Sequence, residues 1–241
     1  MPIMQIGSLH LLVNRKAIKN LHISVLPPDG KVRVSAPEHM TETAIRMAVA
    51  SRFRWIRKQQ QDFARQPRQS EREMVSGECH YLWGRRYRLL VIERHGRHGR
   101  HEVKVAGNNK LQLYVQPGTR DENKALALSE FYRHELKQQV AKLLPEWQDR
   151  IGVPLTFWGI KKMKTFWGTC NTTTKRIWLN LELIKKPPEC LEYILVHELV
   201  HLLERHHNAR FRLHMDRFIP DWRERRDLLN NMPLAFEAWE Y

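Results

Sequence analysis

The chain has 241 residues, of which 42% are hydrophobic and 28% charged. That length allows one or two domains with a buried core, and that composition excludes an intrinsically disordered chain. The formal net charge is +15, and residues 1–120 carry most of it: 22 Lys/Arg against 9 Asp/Glu, compared with 19 against 17 in residues 121–241. A localised positive field can attract nucleic acid, a nucleoside triphosphate or an acidic protein segment, although it also serves plain solubility. The longest mostly apolar stretch, Leu191 to Leu203, contains Glu192, His197, Glu198 and His201. It is too short and too polar to span a bilayer, so no membrane partner is expected. The N-terminus lacks a basic run ahead of an apolar core, so no signal peptide is expected either. Cys79, Cys170 and Cys190 form neither a CxxC pair nor a disulfide framework, which fits a reducing cytoplasm.

In chain order, Leu9–Val13, His22–Val25 and Val32–Ala36 read as strands, the last two joined by a Pro28-Asp29-Gly30 turn. A helix is predicted from Thr41 or Thr43 to about Ala64, with Ala44, Met47, Ala48, Phe53, Trp55 and Ile56 at helical spacing. Arg65 to Glu73 is polar, contains Pro67 and reads as a linker. Tyr81–Glu93, Glu102–Val105 and Leu111–Val115 read as strands, with Arg94 to His101 (RHGRHGRH) as a hairpin loop. Metal or phosphate binding is conceivable for that loop, but a solvated connection is the simpler reading.

From Asp121 the character changes. Asn123 to Leu144 is a predicted helix that ends at Pro145, with Leu126, Phe131, Leu136, Val140 and Leu143 as its buried stripe. Two strand candidates follow, one within Leu155–Thr169 interrupted by Gly159, the other Ile177–Ile184, where apolar and polar residues alternate. Pro187-Pro188 marks the start of a helix that runs to about Glu204. Shorter helices are expected at Ala209–Phe218 and Trp222–Leu229, and no internal repeat is evident.

The strongest chemical signal is His197-Glu198-Leu199-Val200-His201. Four helical residues turn through about 400°, which puts both imidazoles on one face, one turn apart, able to reach one ion at about 2.0–2.1 Å. Glu198 then projects toward the water that a metal would activate, and can take its proton. The pattern arises by chance in roughly 5% of chains with this His and Glu content. The apolar residues around it, Leu191, Ile194, Leu195, Val196, Leu199, Val200, Leu202 and Leu203, mark a buried helix. Two histidines and a glutamate inside such a helix are costly without partners, and a metal is one. Four-coordinate zinc with one open position needs a third ligand, for which His206 and His207 are at hand. His207 lies about 15 Å from His197 along an unbroken helix, so either candidate requires the chain to reverse after about Leu203. Asn208 and His206 tolerate the left-handed conformation that ends helices. Trp158, Phe166, Trp167 and Trp178 could line a substrate groove, but aromatic residues on strands are usually core, and Cys170 reads as packing.

The chain resembles the YgjP-like metallopeptidases, a zincin-type group related to SprT-like proteins. The resemblance is carried by Trp167-Gly168-Thr169-Cys170, Leu179-Asn180, Pro187-Pro188, the run HELVHLLERHHNARF from His197 to Phe211, and Pro220-Asp221-Trp222. Val32–Pro37, Trp55-Ile56 and Tyr81 to Tyr87 extend it toward the N-terminus. It implies a zinc-dependent hydrolase with metal ligands His197, His201 and His207 and general base Glu198. It also implies a polypeptide substrate, although some members are described as nucleotide pyrophosphatases acting on UTP. Two positions depart from the pattern: Glu204 stands where related proteases place glycine, and Phe166 stands where the family usually has arginine. The expected fold is α+β, with a β-rich basic portion over residues 1–120 and a zincin-like metallohydrolase portion with a buried HExxH helix over residues 121–241. The main rivals to a peptidase are UTP pyrophosphate hydrolysis at the same site, with Arg85 or Arg86 holding phosphate, and a nucleic-acid-binding module with structural zinc.

Overall fold

The computed structural model describes residues 3–26, 30–65, 73–95, 101–163 and 166–231. The fold is α+β, and the chain forms two compact units that divide between Gln69 and Ser70. That division falls inside the polar segment Arg65–Glu73. Among the described residues, no helix is long and apolar enough to cross a membrane.

The first unit holds β1 (Ile3–Ile6), β2 (Leu9–Lys16), β3 (His22–Leu26) and β4 (Lys31–Pro37) in the order β1-β2-β4-β3. The central pair β2–β4 is parallel and the outer pairs are antiparallel. Alternate residues Leu9, Leu11 and Val13 of β2 and Val32, Val34 and Ala36 of β4 are buried, so one sheet face is apolar, as the two-residue period of a strand requires. Ile45, Val49 and Ile56 complete that core. They come from two helices, α1 (Glu42–Ser51) and α2 (Phe53–Arg65), where the sequence suggests one. The break is at Arg52, whose φ of −107° and ψ of 11° leave the helical region. Thr41 caps α1 by accepting the Ala44 N–H at 3.2 Å. The expected stripe is displaced: Met47 and Trp55 are exposed.

The second unit begins with β5 (Cys79–Leu82), β6 (Arg85–Glu93), β7 (Glu102–Ala106) and β8 (Lys110–Val115). Their order is β5-β6-β8-β7, again with a parallel central pair and antiparallel outer pairs. β6 and β7 are therefore not neighbours, so they do not form the expected hairpin. Residues 96–100 between them lie outside the described ones. One hairpin joins β5 to β6 at Trp83-Gly84, where φ is positive at both residues (49° and 77°), matching the two-residue turns that suit strand twist. A Cβ on Gly84 would sit 2.9 Å from the Pro187 ring, and the Trp83 N–H donates to the Ile184 carbonyl at 2.7 Å, so this turn packs against the entry to the next buried helix.

Helix α3 (Asp121–Ile151) passes through Pro145 instead of ending there. Trp147 and Ile151 beyond the proline are buried in the core, and this packing outweighs the lost backbone hydrogen bond. Its buried face is Leu128, Tyr132, Leu136, Val140, Leu144, Trp147 and Ile151. Leu126, expected inside, is exposed. The strands β9 (Phe157–Lys161), β10 (Gly168–Asn171) and β11 (Arg176–Asn180) form a sheet in the order β10-β11-β9, antiparallel on the β10 side and parallel on the β9 side. A 3-10 helix at Leu181–Lys185 replaces the second half of the predicted strand. Then come α4 (Pro188–Val200), α5 (Ala209–Phe218) and α6 (Trp222–Asn231). α4 is buried nearly all round, packed by α3, α5, α6, β10 and β11.

Residues 73–115, grouped by charge with the N-terminal half, thus belong with the helices after residue 121. Leu82, Leu89, Leu111, Leu113 and Val115 share one core with α3 and α4. Charge reads the surface, whereas the units divide along the buried residues. The change of composition near residue 121 marks the start of α3.

Candidate metal centre

Helix α4 carries His197 and Glu198 in its last turn, with His201 as the residue that ends it. Backbone hydrogen bonding continues one turn further, since the Glu204 N–H donates to the Val200 carbonyl at 2.9 Å. The chain then reverses, and Asn208 starts α5 by accepting the Phe211 N–H at 3.0 Å. The reversal brings His207 back over the end of α4. One side-chain nitrogen from each of His197, His201 and His207 lies within 4.8 Å of the other two, and the Nε2 atoms of His197 and His207 are 3.0 Å apart. His206 is exposed and outside this group, and half-buried His214, which stacks on Phe218, is outside it too.

Contrary to expectation, the reversal uses no left-handed residue. None of the non-glycine residues between Leu202 and Arg210 has positive φ, and Asn208 is extended at φ −87°. Glu204 supports the turn instead. Its carboxylate accepts the His206 N–H at 3.2 Å, which holds its carboxyl below the usual carboxylate range. Its backbone carbonyl accepts the His201 Nδ1–H at 3.2 Å. A carbonyl can only accept, so this bond fixes the His201 proton on Nδ1 and leaves Nε2 free as a donor of its lone pair. His197 has no such tether among the described residues, and its Nδ1 is buried without a partner. Its ring is held by packing, edge-on to Tyr193.

Phe211 of α5 completes the arrangement. Its ring centroid lies 4.9 Å from that of His197 and 4.8 Å from those of His201 and His207. The sequence marks Phe211 only as the end of a matching run. Its contacts with His197 and His201 span ten or more residues, which local periodicity does not encode.

Electrostatically, all three imidazoles are kept neutral. Burial pulls His197 down to about 3, with His201 and His207 adding repulsion. Burial likewise lowers His201 and His207. Neutral imidazole is the form that binds a metal, and three converging imidazoles suit a divalent ion. Glu198 is 5% exposed, and burial pushes its carboxyl up to about 8. It lies on the backbone of Gly168, where a Cβ would come within 2.6 Å of Oε1 and 2.7 Å of Cγ. Glycine in β10 is therefore what lets the carboxylate sit beside this strand. Cys170, on the same strand, is pushed up to about 12 by burial and by Glu198, which makes it an inert thiol.

Asn180, 5% exposed at the end of β11, holds the approach to β10. Its amide donates to the Met163 and Phe166 carbonyls, each at 2.8 Å, and its Oδ1 accepts the Met163 N–H at 3.3 Å. Phe166 is exposed, whereas Trp158, Trp167 and Trp178 are half-buried on the sheet.

A family model described as "YgjP-like, metallopeptidase domain" matches residues 19–232. No curated protein is significantly similar to the chain. The solved structures that resemble part of it include two metallopeptidase zymogens. The metallopeptidase zymogen abylysin of Pyrococcus abyssi is 24% identical over 37% of this chain and 90% of its own, with a TM-score of 0.35. The metallopeptidase zymogen jannalysin of Methanocaldococcus jannaschii is 23% identical over 39% of this chain and 92% of its own, with a TM-score of 0.32.

Proposed function

The chain belongs to the YgjP-like metallopeptidase family, and on that premise we propose a zinc-dependent peptidase whose metal ligands are His197, His201 and His207 and whose general base is Glu198. The observation that carries this reading is the convergence of three neutral imidazoles at the end of a buried helix, with a buried carboxylate on the adjacent residue. Three nitrogen donors are the ligand set of catalytic zinc, which keeps a fourth position for water or substrate. A zinc ion held there would supply Lewis acidity, polarising a carbonyl, acidifying water and favouring the ionised form of Glu198. Glu198 takes a proton from the attacking water and delivers it to the leaving amine as the peptide bond breaks. The Gly168 backbone keeps the Glu198 carboxylate in place through that exchange. Strand β10 pairs with β11 along one edge and is the outer strand of its sheet, so its other edge suits an extended polypeptide added as a further strand.

The test sets wild type against Glu198→Gln and His201→Ala, with elemental analysis and two substrates in parallel, an unfolded protein and UTP. The expected outcome is zinc retained and proteolysis lost in Glu198→Gln, and both lost in His201→Ala. Full zinc in His201→Ala refutes the ligand set. Hydrolysis of UTP alone, dependent on Glu198, moves the substrate from peptide to nucleoside triphosphate at the same centre.

A further inference from the structure

His197 and His207 are ten residues apart, which along a helix is about 15 Å, yet their Nε2 atoms face each other at 3.0 Å. Helical hydrogen bonding persists as far as Glu204. The whole reversal is therefore made between Glu204 and Asn208. The segment from Leu202 to Arg210 has no glycine, and no residue in it adopts the left-handed conformation that usually terminates a helix. Within the turn the Asn208 N–H donates to the His206 carbonyl at 2.7 Å, and the further support comes from a side chain.

We propose that Glu204 is the positioning residue of the metal centre, its carboxylate holding the turn that returns His207 to His197 and His201. This rests on the metal-centre reading above. Glu204 acts at two points at once. Through its backbone carbonyl it orients the His201 imidazole, at 3.2 Å from Nδ1. Through Oε1 it accepts the His206 N–H, immediately before the third histidine, at 3.2 Å. Its Oε2 faces Arg210 Nε at 3.8 Å, which ties the carboxylate to the first turn of α5. The side chain is only 14% exposed, so it is enclosed by the turn it supports. The carbonyl contact is available to any residue at 204. The carboxylate contacts are not, and they decide where His207 sits. A group that orients a metal ligand without touching the metal typically changes affinity about 10- to 100-fold.

The experiment measures zinc affinity by competition with a chromophoric chelator and records the visible spectrum of the cobalt form. It uses wild type, Glu204→Ala, Glu204→Gln, His207→Ala and the Glu204→Ala/His207→Ala double variant, with circular dichroism as the check on folding. Glu204→Ala is expected to weaken zinc about 10- to 100-fold and to shift the cobalt spectrum toward that of His207→Ala. Glu204→Gln keeps an oxygen acceptor and should recover most of the affinity. In the His207→Ala background, Glu204→Ala should change affinity by less than about twofold, because the ligand it acts through is gone. If the alanine variant fails to fold, Glu204→Leu, which keeps the aliphatic stem but no acceptor, is read the same way. Wild-type affinity in the folded variant, or an equal loss in both backgrounds, overturns the positioning role and leaves the metal centre standing. A wild type that takes up neither zinc nor cobalt overturns both.

Discussion

Gly168→Ala is a perturbation aimed at the proposed general base, Glu198, from outside the histidine set. The added Cβ would lie 2.6 Å from Oε1, 2.7 Å from Cγ and 2.9 Å from Cδ of Glu198. Carbon atoms settle at about 3.5–4.0 Å, so the Glu198 side chain must retreat by about 0.8 Å. A misplacement of about 1 Å at a reacting group can cost about 100-fold. The three atoms nearest the new methyl all belong to Glu198, so the expected effect is selective. Turnover of an unfolded-protein substrate should fall about 10- to 100-fold, with KM and zinc content near wild type. In a Glu198→Gln background the same substitution should add nothing. The assay pairs steady-state proteolysis with elemental analysis. Wild-type turnover in Gly168→Ala would refute the assignment of Glu198 as the base lying on β10. Zinc lost together with turnover would show that the methyl disturbs the ligands, and would refute the separation of base from metal cradle.

Two further substitutions test the frame around the site. Leu136 is fully buried at the middle of α3, so Leu136→Ala should cost about 2–5 kcal/mol, read as a lower urea midpoint; a cost under about 1 kcal/mol would mean the helix does not pack as described. Lys186 is 2% exposed beside the Trp167 ring, and burial pulls its ammonium from 10.5 down to about 8. Between those values the unfolded chain holds the proton and the folded chain does not, so this group makes stability rise with pH from about 8 to about 10.5, and its full penalty, about 3 kcal/mol, applies below about 8. Lys186→Met should therefore gain stability relative to wild type as pH falls through that window. A pH-independent difference in unfolding free energy between the two would sink this account.

The legible parts of the molecule were those written in local pattern. α4 announced itself because a helix apolar on every side, yet holding His197, Glu198 and His201, has few explanations. α5 runs over its expected span, Ala209–Phe218, with Pro220 just beyond its end; that Asn208 caps its start is seen only in the structure. What failed was local signal outvoted by packing. Pro145 should have stopped α3, but Trp147 donates to Glu192 of α4 at 3.1 Å and buries its ring, which is a tertiary gain no window of sequence contains. The two four-stranded sheets share strand order and pairing sense, yet the sequence shows no repeat, because alternation of apolar residues specifies such a topology without specifying their identity.

The same distinction runs through the candidate centre. The two histidines of α4 are four residues apart and legible from helical geometry alone. Gly168, Asn180, Glu204 and Phe211 act on other elements or on a turn, and each is an ordinary residue until its neighbour in space is known. Glu204 is the instructive case. In the sequence it is a departure, an acid standing where related proteases place glycine. A glycine makes such a turn by adopting backbone conformations closed to other residues. This chain makes the turn with right-handed and extended backbone and supplies a carboxylate to hold it. The departure is then a substitution of side-chain hydrogen bonding for conformational freedom. It also predicts an asymmetry: Glu204→Gly, which removes the acceptor and returns the residue the pattern expects, should weaken zinc binding about as much as Glu204→Ala, because the turn as built has no left-handed position for a glycine to occupy.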